Sequence, residues 1–221
     1  CDALGWEIPH CDGQEADIYD FSRCFYLNWV DPERGALLGS VRLIPFAYDN
    51  LMATVFKRSH EGCRSTELRQ SLRVWEGTRL CLNEALLAPD DRTAAMTSLL
   101  LGLFKACESV RIETLLCNCN SVMYRLYRTL GLHFEHLGAT HDFHHGPVHC
   151  LAFEISERNF EVLTLLAARM NLAWPEVAGK GIRHARTITH TPARERANTG
   201  PTVSAPLLPL PSPSTPPRIH A

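Results

Sequence analysis

Two arginines and a glutamate stand inside stretches that otherwise read as buried β-strand. Arg42 lies within residues 36–45, ALLGSVRLIP, while Glu76 and Arg79 lie within residues 73–82, RVWEGTRLCL. A charge carried into a strand must be paired, or its burial costs several kcal/mol per ion. The opening segment supplies partners, with Asp12, Glu15, Asp17 and Asp20 crowded together. Such a set implies an ion-pair network, a polar site for a charged small molecule, or both; the reading adopted is both.

The rest of the composition narrows the classes. The 221 residues, 45% of them hydrophobic, suit one main domain with an appendage. A net charge of -2 gives no reason to expect nucleic-acid binding, and no run reaches the ~18 apolar residues of a membrane span. The chain opens with Cys1-Asp2 rather than Met and a charged leader, so no secretory signal is read and the natural start is expected upstream. Nine scattered cysteines without a C-x-x-C read as reduced thiols of a cytoplasmic protein.

Pattern along the chain predicts an α/β domain over residues 1–175. Asp17 to Trp29 alternates as a strand does, residues 31–35 carry turn chemistry, and Ala36 to Pro45 returns as the second arm of a hairpin. Short helical possibilities lie around Leu51–Phe56, a third strand over Arg73–Leu82, and a helix over residues 92–109 after Pro89-Asp90-Asp91. A strand over 111–117, a helix from Ser121 to Leu130 ended by Gly131, strands over 133–138 and 148–155, and a helix from Glu157 to about Leu172 complete the domain. Eight of the fourteen prolines fall from Pro192 onward, where hydrophobic periodicity stops, so residues 176–221 read as a disordered Pro-rich tail.

Four ordered blocks resemble the acyl-homoserine-lactone synthase (LuxI-type) family. They are Gly5-Trp6 with the acidic Glu15-Ala16-Asp17-Ile18-Tyr19-Asp20, then Gly39-Ser40-Val41-Arg42-Leu43-Ile44-Pro45. Leu51-Met52 with Phe56 follows, and Trp75-Glu76-Gly77-Thr78-Arg79 closes the set. The likeness spans roughly residues 4–155 and departs at Leu80, where the family has Phe or Tyr. The family also begins two to three dozen residues earlier, with an Arg and a Phe that have no counterpart here.

The resemblance implies a Gcn5-like N-acyltransferase fold, a twisted mixed sheet flanked by helices with a pantetheine arm between splayed strands. It implies a reaction as well: the amine of S-adenosylmethionine attacks an acyl thioester carried by acyl-carrier protein or coenzyme A. The methionyl carboxylate then closes a lactone and expels methylthioadenosine. S-adenosylmethionine is thus a substrate, and no cofactor is expected. Glu76, Arg79 and Arg42 are the catalytic candidates, with Glu76 as base or water-positioner because an ammonium must lose a proton before it can attack. Trp6, Asp17, Asp20, Phe56 and Thr78 are the substrate-binding candidates, and Ala95, Met96, Leu99, Leu100, Leu116, Met123, Leu126 and Phe153 the candidate acyl wall.

Two rivals stand beside this reading. An ordinary Gcn5-like acetyltransferase would want a glycine-rich phosphate turn ahead of its helix, and residues 88–92, APDDR, contain no glycine. A catalytically inactive paralogue would bind the same ligands as a sensor. Six histidines between His133 and His149 invite a metal site, but their spacing fits no familiar zinc ligand set.

Overall fold

The computed structural model describes residues 10–11, 14–15, 17–21, 23–31, 33–57, 65–143 and 146–172. Trp6 and the Pro-rich tail lie outside the described residues.

The hairpin forms where turn chemistry puts it. β3 (Phe25–Val30) runs antiparallel to β4 (Leu37–Pro45), and the turn between them closes on Asp31. The Asp31 carboxylate accepts the Glu33 N–H at 2.9 Å, and Gly35, at φ +63°, donates its N–H to the Asp31 carbonyl at 2.8 Å. A positive φ of this kind is what glycine tolerates. The expected strand beginning at Asp17 is corrected: residues Ile18–Phe21 form a 3-10 turn, and only Phe25 onward is strand. The Asp side chains cause the difference. Asp17 Oδ1 accepts the Tyr19 N–H at 2.9 Å and Asp20 Oδ2 accepts the Asp17 N–H at 2.8 Å, which satisfies the backbone locally instead of in a ladder.

β5 (Val74–Leu82) pairs with β4, and β6 (Thr114–Asn120), β7 (Glu135–Phe143) and β8 (Gly146–Glu154) complete a six-stranded sheet in the order β3-β4-β5-β6-β8-β7. A separate two-residue pairing joins β1 (His10–Cys11) to β2 (Gln14–Glu15). Only β5 and β6 run parallel, and their ladder lasts three residues, from Val74↔Thr114 to Glu76↔Leu116. Beyond that point the two strands part.

The sheet carries different cargo on its two faces. On one, Val41, Leu43, Leu115, Leu151 and Phe153 pack against α3 (Arg92–Ser109), α4 (Ser121–Thr129) and α5 (Glu157–Arg169). Phe104 of α3 meets Phe153 and Phe160 edge-on, with centroids 6.4 and 6.1 Å apart. On the other face, Val74, Leu116, Cys150 and Ala152 pack with Phe46 and with Met52 of α1 (Leu51–Thr54), while Ile44 packs with Tyr19 and Cys24. A further helix, α2 (Ser65–Gln70), precedes β5. Helix α4 ends at Gly131, whose φ of +78° makes it the expected helix-ending glycine.

Gly39 is fixed by space rather than by its dihedral angles. A Cβ there would meet the Cys81 carbonyl at 3.0 Å and the Leu82 and Leu99 side chains at 3.1 Å. Gly39→Val should therefore force β4 off β5 and destabilise the domain by about 1–3 kcal/mol, read as a lowered denaturant midpoint. An unchanged midpoint would refute that packing argument.

Among the described residues no helix is long and apolar enough to cross a membrane. The six cysteines with described side chains are free thiols. His136 and His149 approach each other, Nε2 to Nδ1, at 3.2 Å, but no group of three or more metal-ligating side chains forms among the described residues.

Candidate active site

Arg42 is completely buried at the middle of β4, and three side chains converge on it. Its Nη1 donates to Asp17 Oδ1 and Asp20 Oδ1, each at 2.7 Å, and its Nε donates to Thr78 Oγ1 at 2.9 Å. Its guanidinium also lies 5.9 Å from the Tyr19 ring centre. The register explains the Thr78 contact, because Arg42 faces Thr78 across the β4–β5 ladder. The turn that broke the predicted strand explains the aspartates: a 3-10 conformation over residues 18–21 sets both carboxylates facing the guanidinium.

Arg79 reaches the same two aspartates by a different device. Residues alternate faces along a strand, so Arg79 should point away from Thr78. Between the pairs Ser40↔Cys81 and Arg42↔Thr78, however, β5 spends two residues where β4 spends one. That is a β-bulge, and Arg79 takes φ +53° within it. The side chain swings back, and Nη2 lies 3.0 Å from Asp17 Oδ2 and 3.4 Å from Asp20 Oδ2. A non-glycine residue in that region carries about 1–2 kcal/mol of strain. The ion pairs to two carboxylates offset it.

Burial pushes the Asp17 and Asp20 carboxyls up, but Arg42, together with Arg79 at Asp17 and the Tyr26 hydroxyl at Asp20, overcomes this and leaves both below the usual carboxylate range. Tyr26 donates to Asp20 Oδ1 at 2.5 Å, and its own ionisation is pushed well up by burial and that bond. The quartet is thus two carboxylates against two guanidiniums, held in their charged forms.

Glu76 sits on the same face of β5, one pleat from Thr78, and is also completely buried. Helix α1 supplies what holds it. Asn50 caps that helix, accepting the Ala53 N–H at 2.8 Å and donating to the Phe46 and Tyr48 carbonyls. The helix start is thereby aimed at Glu76, whose Oε1 accepts the Met52 N–H at 3.0 Å. Burial pushes the Glu76 carboxyl up; the backbone N–H groups of Met52 and Leu51 and the charge of Arg42 pull it part-way back, leaving it at about 7. Its Oε2 has no partner among the described residues, and neither has Arg42 Nη2. Two buried polar atoms with free bonding capacity therefore stand on one face of the site.

Behind them the sheet opens. Gly77 and Cys117 are the first residues past the end of the β5–β6 ladder, and both line a cavity of about 30 Å³ on the opposite face. Its walls are apolar: Val41, Leu80 and Leu115 from the strands, Leu100, Leu103 and Phe104 from α3, and Leu132 and Phe153, with Tyr127 of α4 completing it.

The structure thus gathers Glu76, Arg42, Arg79, Asp17, Asp20 and Thr78 into one cluster. The Phe56 ring lies 5.0 Å from that of Phe143. Sequence reasoning missed Tyr26, Asn50 and the Met52 amide, which act through contacts no spacing encodes. Of the expected acyl wall, Leu100 and Phe153 line the cavity; Leu116 packs on the other face and Leu99 against Gly39.

A family model described as autoinducer synthase matches residues 1–163, about three quarters of the chain. The chain belongs to the autoinducer synthase family. It is an acyltransferase, as its relatives are. One of them, an acyl-homoserine-lactone synthase of Pseudomonas fluorescens, is 30% identical over 156 residues, covering 69% of this chain and 72% of its own. Another, of Pseudomonas chlororaphis, is 30% identical over 138 residues, covering 61% and 64%. Among solved structures, the CoA-dependent acyl-homoserine lactone synthase MesI superposes with TM-score 0.64 at 19% identity, covering 78% of this chain and 82% of its own. BjaI, determined with SAM and isopentyl-CoA, superposes with TM-score 0.63 at 21% identity, covering 80% and 81%. These likenesses establish the Gcn5-like synthase fold for this autoinducer synthase.

Proposed function

We propose that this chain makes an N-acyl-homoserine lactone from S-adenosylmethionine and an acyl thioester in the cytoplasm. One observation carries the reading: a buried carboxylate with an uncommitted oxygen lies on one face of the point where β5 and β6 part, and an apolar cavity opens on the other face at the same point. An amine held by Glu76 then meets a thioester carbonyl lodged in the gap, with the acyl chain in the cavity.

The steps balance without a cofactor. Glu76 takes a proton from the substrate ammonium, the free amine attacks the thioester carbonyl, and backbone N–H groups of β5 released by the parting of the strands face the oxyanion. The C–N bond forms as the C–S bond breaks, and the thiol leaves protonated. The methionyl carboxylate then attacks the γ-carbon, and neutral methylthioadenosine departs from the sulfonium. Arg42, Arg79, Asp17 and Asp20 hold the strand and the acidic turn together around the substrate, and Thr78 fixes the Arg42 guanidinium. Trp6 and Phe56 are proposed to flank the adenosyl and methionyl parts. The donor carrier is coenzyme A or acyl-carrier protein; BjaI, described as CoA-dependent, supports the first.

A base near 7 must be ionised to work. Acylation, followed by thiol release at saturating substrate, should rise as pH passes through about 7 and level above it. Glu76→Gln should abolish that inflection along with most of the rate. A wild-type profile flat from pH 5.5 to 8.5 would remove Glu76 from the role.

A further inference from the structure

Three side chains at the β7 end of the sheet form a hydrogen-bonded relay that the synthase site does not use. Ser121 Oγ lies 3.1 Å from His149 Nε2, His149 Nδ1 lies 3.2 Å from His136 Nε2, and His136 Nδ1 lies 3.1 Å from the Gly138 carbonyl. The last contact orients the others. A carbonyl only accepts, so neutral His136 carries its proton on Nδ1 and offers Nε2 as an acceptor. His149 then donates from Nδ1, which leaves its Nε2 lone pair facing the Ser121 hydroxyl. Thr140 Oγ1 lies 3.3 Å from His149 Nδ1 and 3.5 Å from His136 Nε2; it accepts from the first and donates to the second, which fixes the same tautomers.

The fold builds this geometry from three elements. His136 faces Leu151 across the β7–β8 ladder, and His149 is its diagonal neighbour on the same face. Between the pairs Leu137↔Cys150 and His141↔Val148 the register slips, and within that bulge Gly138 takes φ +62° and Thr140 reaches both imidazoles. Tyr124 of α4 stacks on His149, with centroids 4.3 Å apart and planes at 7°. The Ser121 hydroxyl is not spent on capping α4, because the Asn120 side chain takes the Met123 N–H at 3.0 Å. Burial and the neighbouring His136 hold His149 below its ordinary value, so it is a free base at neutral pH. Ser121 is half-buried and His136 exposed, which leaves the relay open to solvent.

We infer that Ser121 is a nucleophile with His149 as its general base, forming a second site that hydrolyses small uncharged carboxylic esters. His136 is a positioning residue that sets the His149 tautomer. The site is separate from Glu76: His149 shares its face with Leu151 and Phe153, under α3, α4 and α5, whereas Glu76 bonds to Met52 on the other face. The groups in contact with the imidazoles are neutral, namely Thr140, the Gly138 carbonyl and the Tyr124 ring, which suits an acyl carbonyl rather than a phosphate. As Ser121 Oγ bonds to the ester carbonyl carbon, its proton passes to His149 Nε2. The carbon–oxygen bond to the alcohol then breaks, and the alcohol leaves with that proton. Water, deprotonated by His149 in the same way, releases the acid and restores Ser121.

The test treats the full chain with para-nitrophenyl acetate and, separately, with a fluorophosphonate, which forms an Oγ–P bond and expels fluoride. The wild type should release nitrophenol over many turnovers and carry a phosphonyl group that peptide mass spectrometry places on Ser121. Ser121→Ala should lose both. His149→Ala keeps the serine but should be labelled about 10²-fold more slowly, the scale of a lost general base. His136→Leu should slow labelling as well, while His136→Gln, whose amide oxygen can accept the His149 N–H, should restore most of it; a merely structural role for His136 would not separate these two variants. Thermal melting shows which variants are folded, and if loss of the Tyr124 stack unfolds His149→Ala, the two His136 variants carry the test. Nitrophenol turnover that persists in Ser121→Ala, no label on Ser121 in the wild type, or equal labelling of the wild type and the folded histidine variants overturns the inference.

Discussion

Glu76→Gln is expected to cut acylation by about 10²-fold or more while raising stability above neutral pH. The first effect is the usual scale for removing a positioned acid–base group. The second follows from burial. Glu76 holds its proton up to about pH 7 in the folded protein, against an ordinary carboxyl value of 4.5. Between those values the folded state binds the extra proton, so stability falls as pH rises from 4.5 to 7 and the deficit is complete above 7. A neutral glutamine escapes it, for a gain on the order of 2–3 kcal/mol at pH 8 that disappears near pH 4. Its amide oxygen can still accept the Met52 N–H. Urea unfolding of both proteins at pH 4.5 and pH 8 reads the difference. Equal stability at both pH values would mean that the Glu76 carboxylate is not confined as the geometry requires, and near-normal turnover would strip it of the catalytic role.

Arg42→Met is expected to be the most destructive substitution in the described structure. The guanidinium is fully buried and ties Asp17, Asp20 and Thr78 together. Removing one partner of a buried ion pair typically costs about 3–5 kcal/mol, because the remaining charges stay behind unpaired. For a domain of this size that corresponds to a fall in Tm of about 6–20 °C. The loss should also change the acid response. Asp17 and Asp20 are depressed in the native protein, so they contribute stability above the ordinary value of 3.8, and this is lost as pH falls through their native values. Without Arg42 that contribution shrinks to what Arg79 and Tyr26 supply, so the variant's deficit against wild type should hold steady down to about pH 4 and narrow as pH falls below 3.8 through the native values of Asp17 and Asp20. A variant that melts like wild type at pH 7 would show that the quartet holds little of the fold together.

How far this site is visible in the sequence depends on whether its cause is local. Arg42, Glu76 and Arg79 stand out because ionic side chains in apolar strands require partners, and the carboxylates of the first segment are the nearest supply. The hairpin, the helix over 92–109 and the Gly131 stop are legible for the same reason: turn and cap chemistry acts within a few residues. What the pattern misreads is the segment after Asp17, where alternation looks like strand but aspartate side chains close a turn on their own backbone. The bulge that turns Arg79 toward the quartet is hidden because it needs a positive φ at a residue that is not glycine. The apolar cavity is harder still. Leu100 lines it and Leu99, its neighbour on α3, packs against Gly39, a distinction made by the rotation of a helix against a sheet rather than by residue type.

The most direct measurement is product analysis from the full natural chain incubated with S-adenosylmethionine labelled in its methionyl carbons and a panel of acyl thioesters. Lactone synthesis predicts a labelled N-acyl-homoserine lactone together with one equivalent each of methylthioadenosine and free thiol. Thiol release onto some other amine without methylthioadenosine, or binding of S-adenosylmethionine with no product from any thioester, would contradict it, the first favouring an ordinary acetyltransferase and the second a sensor.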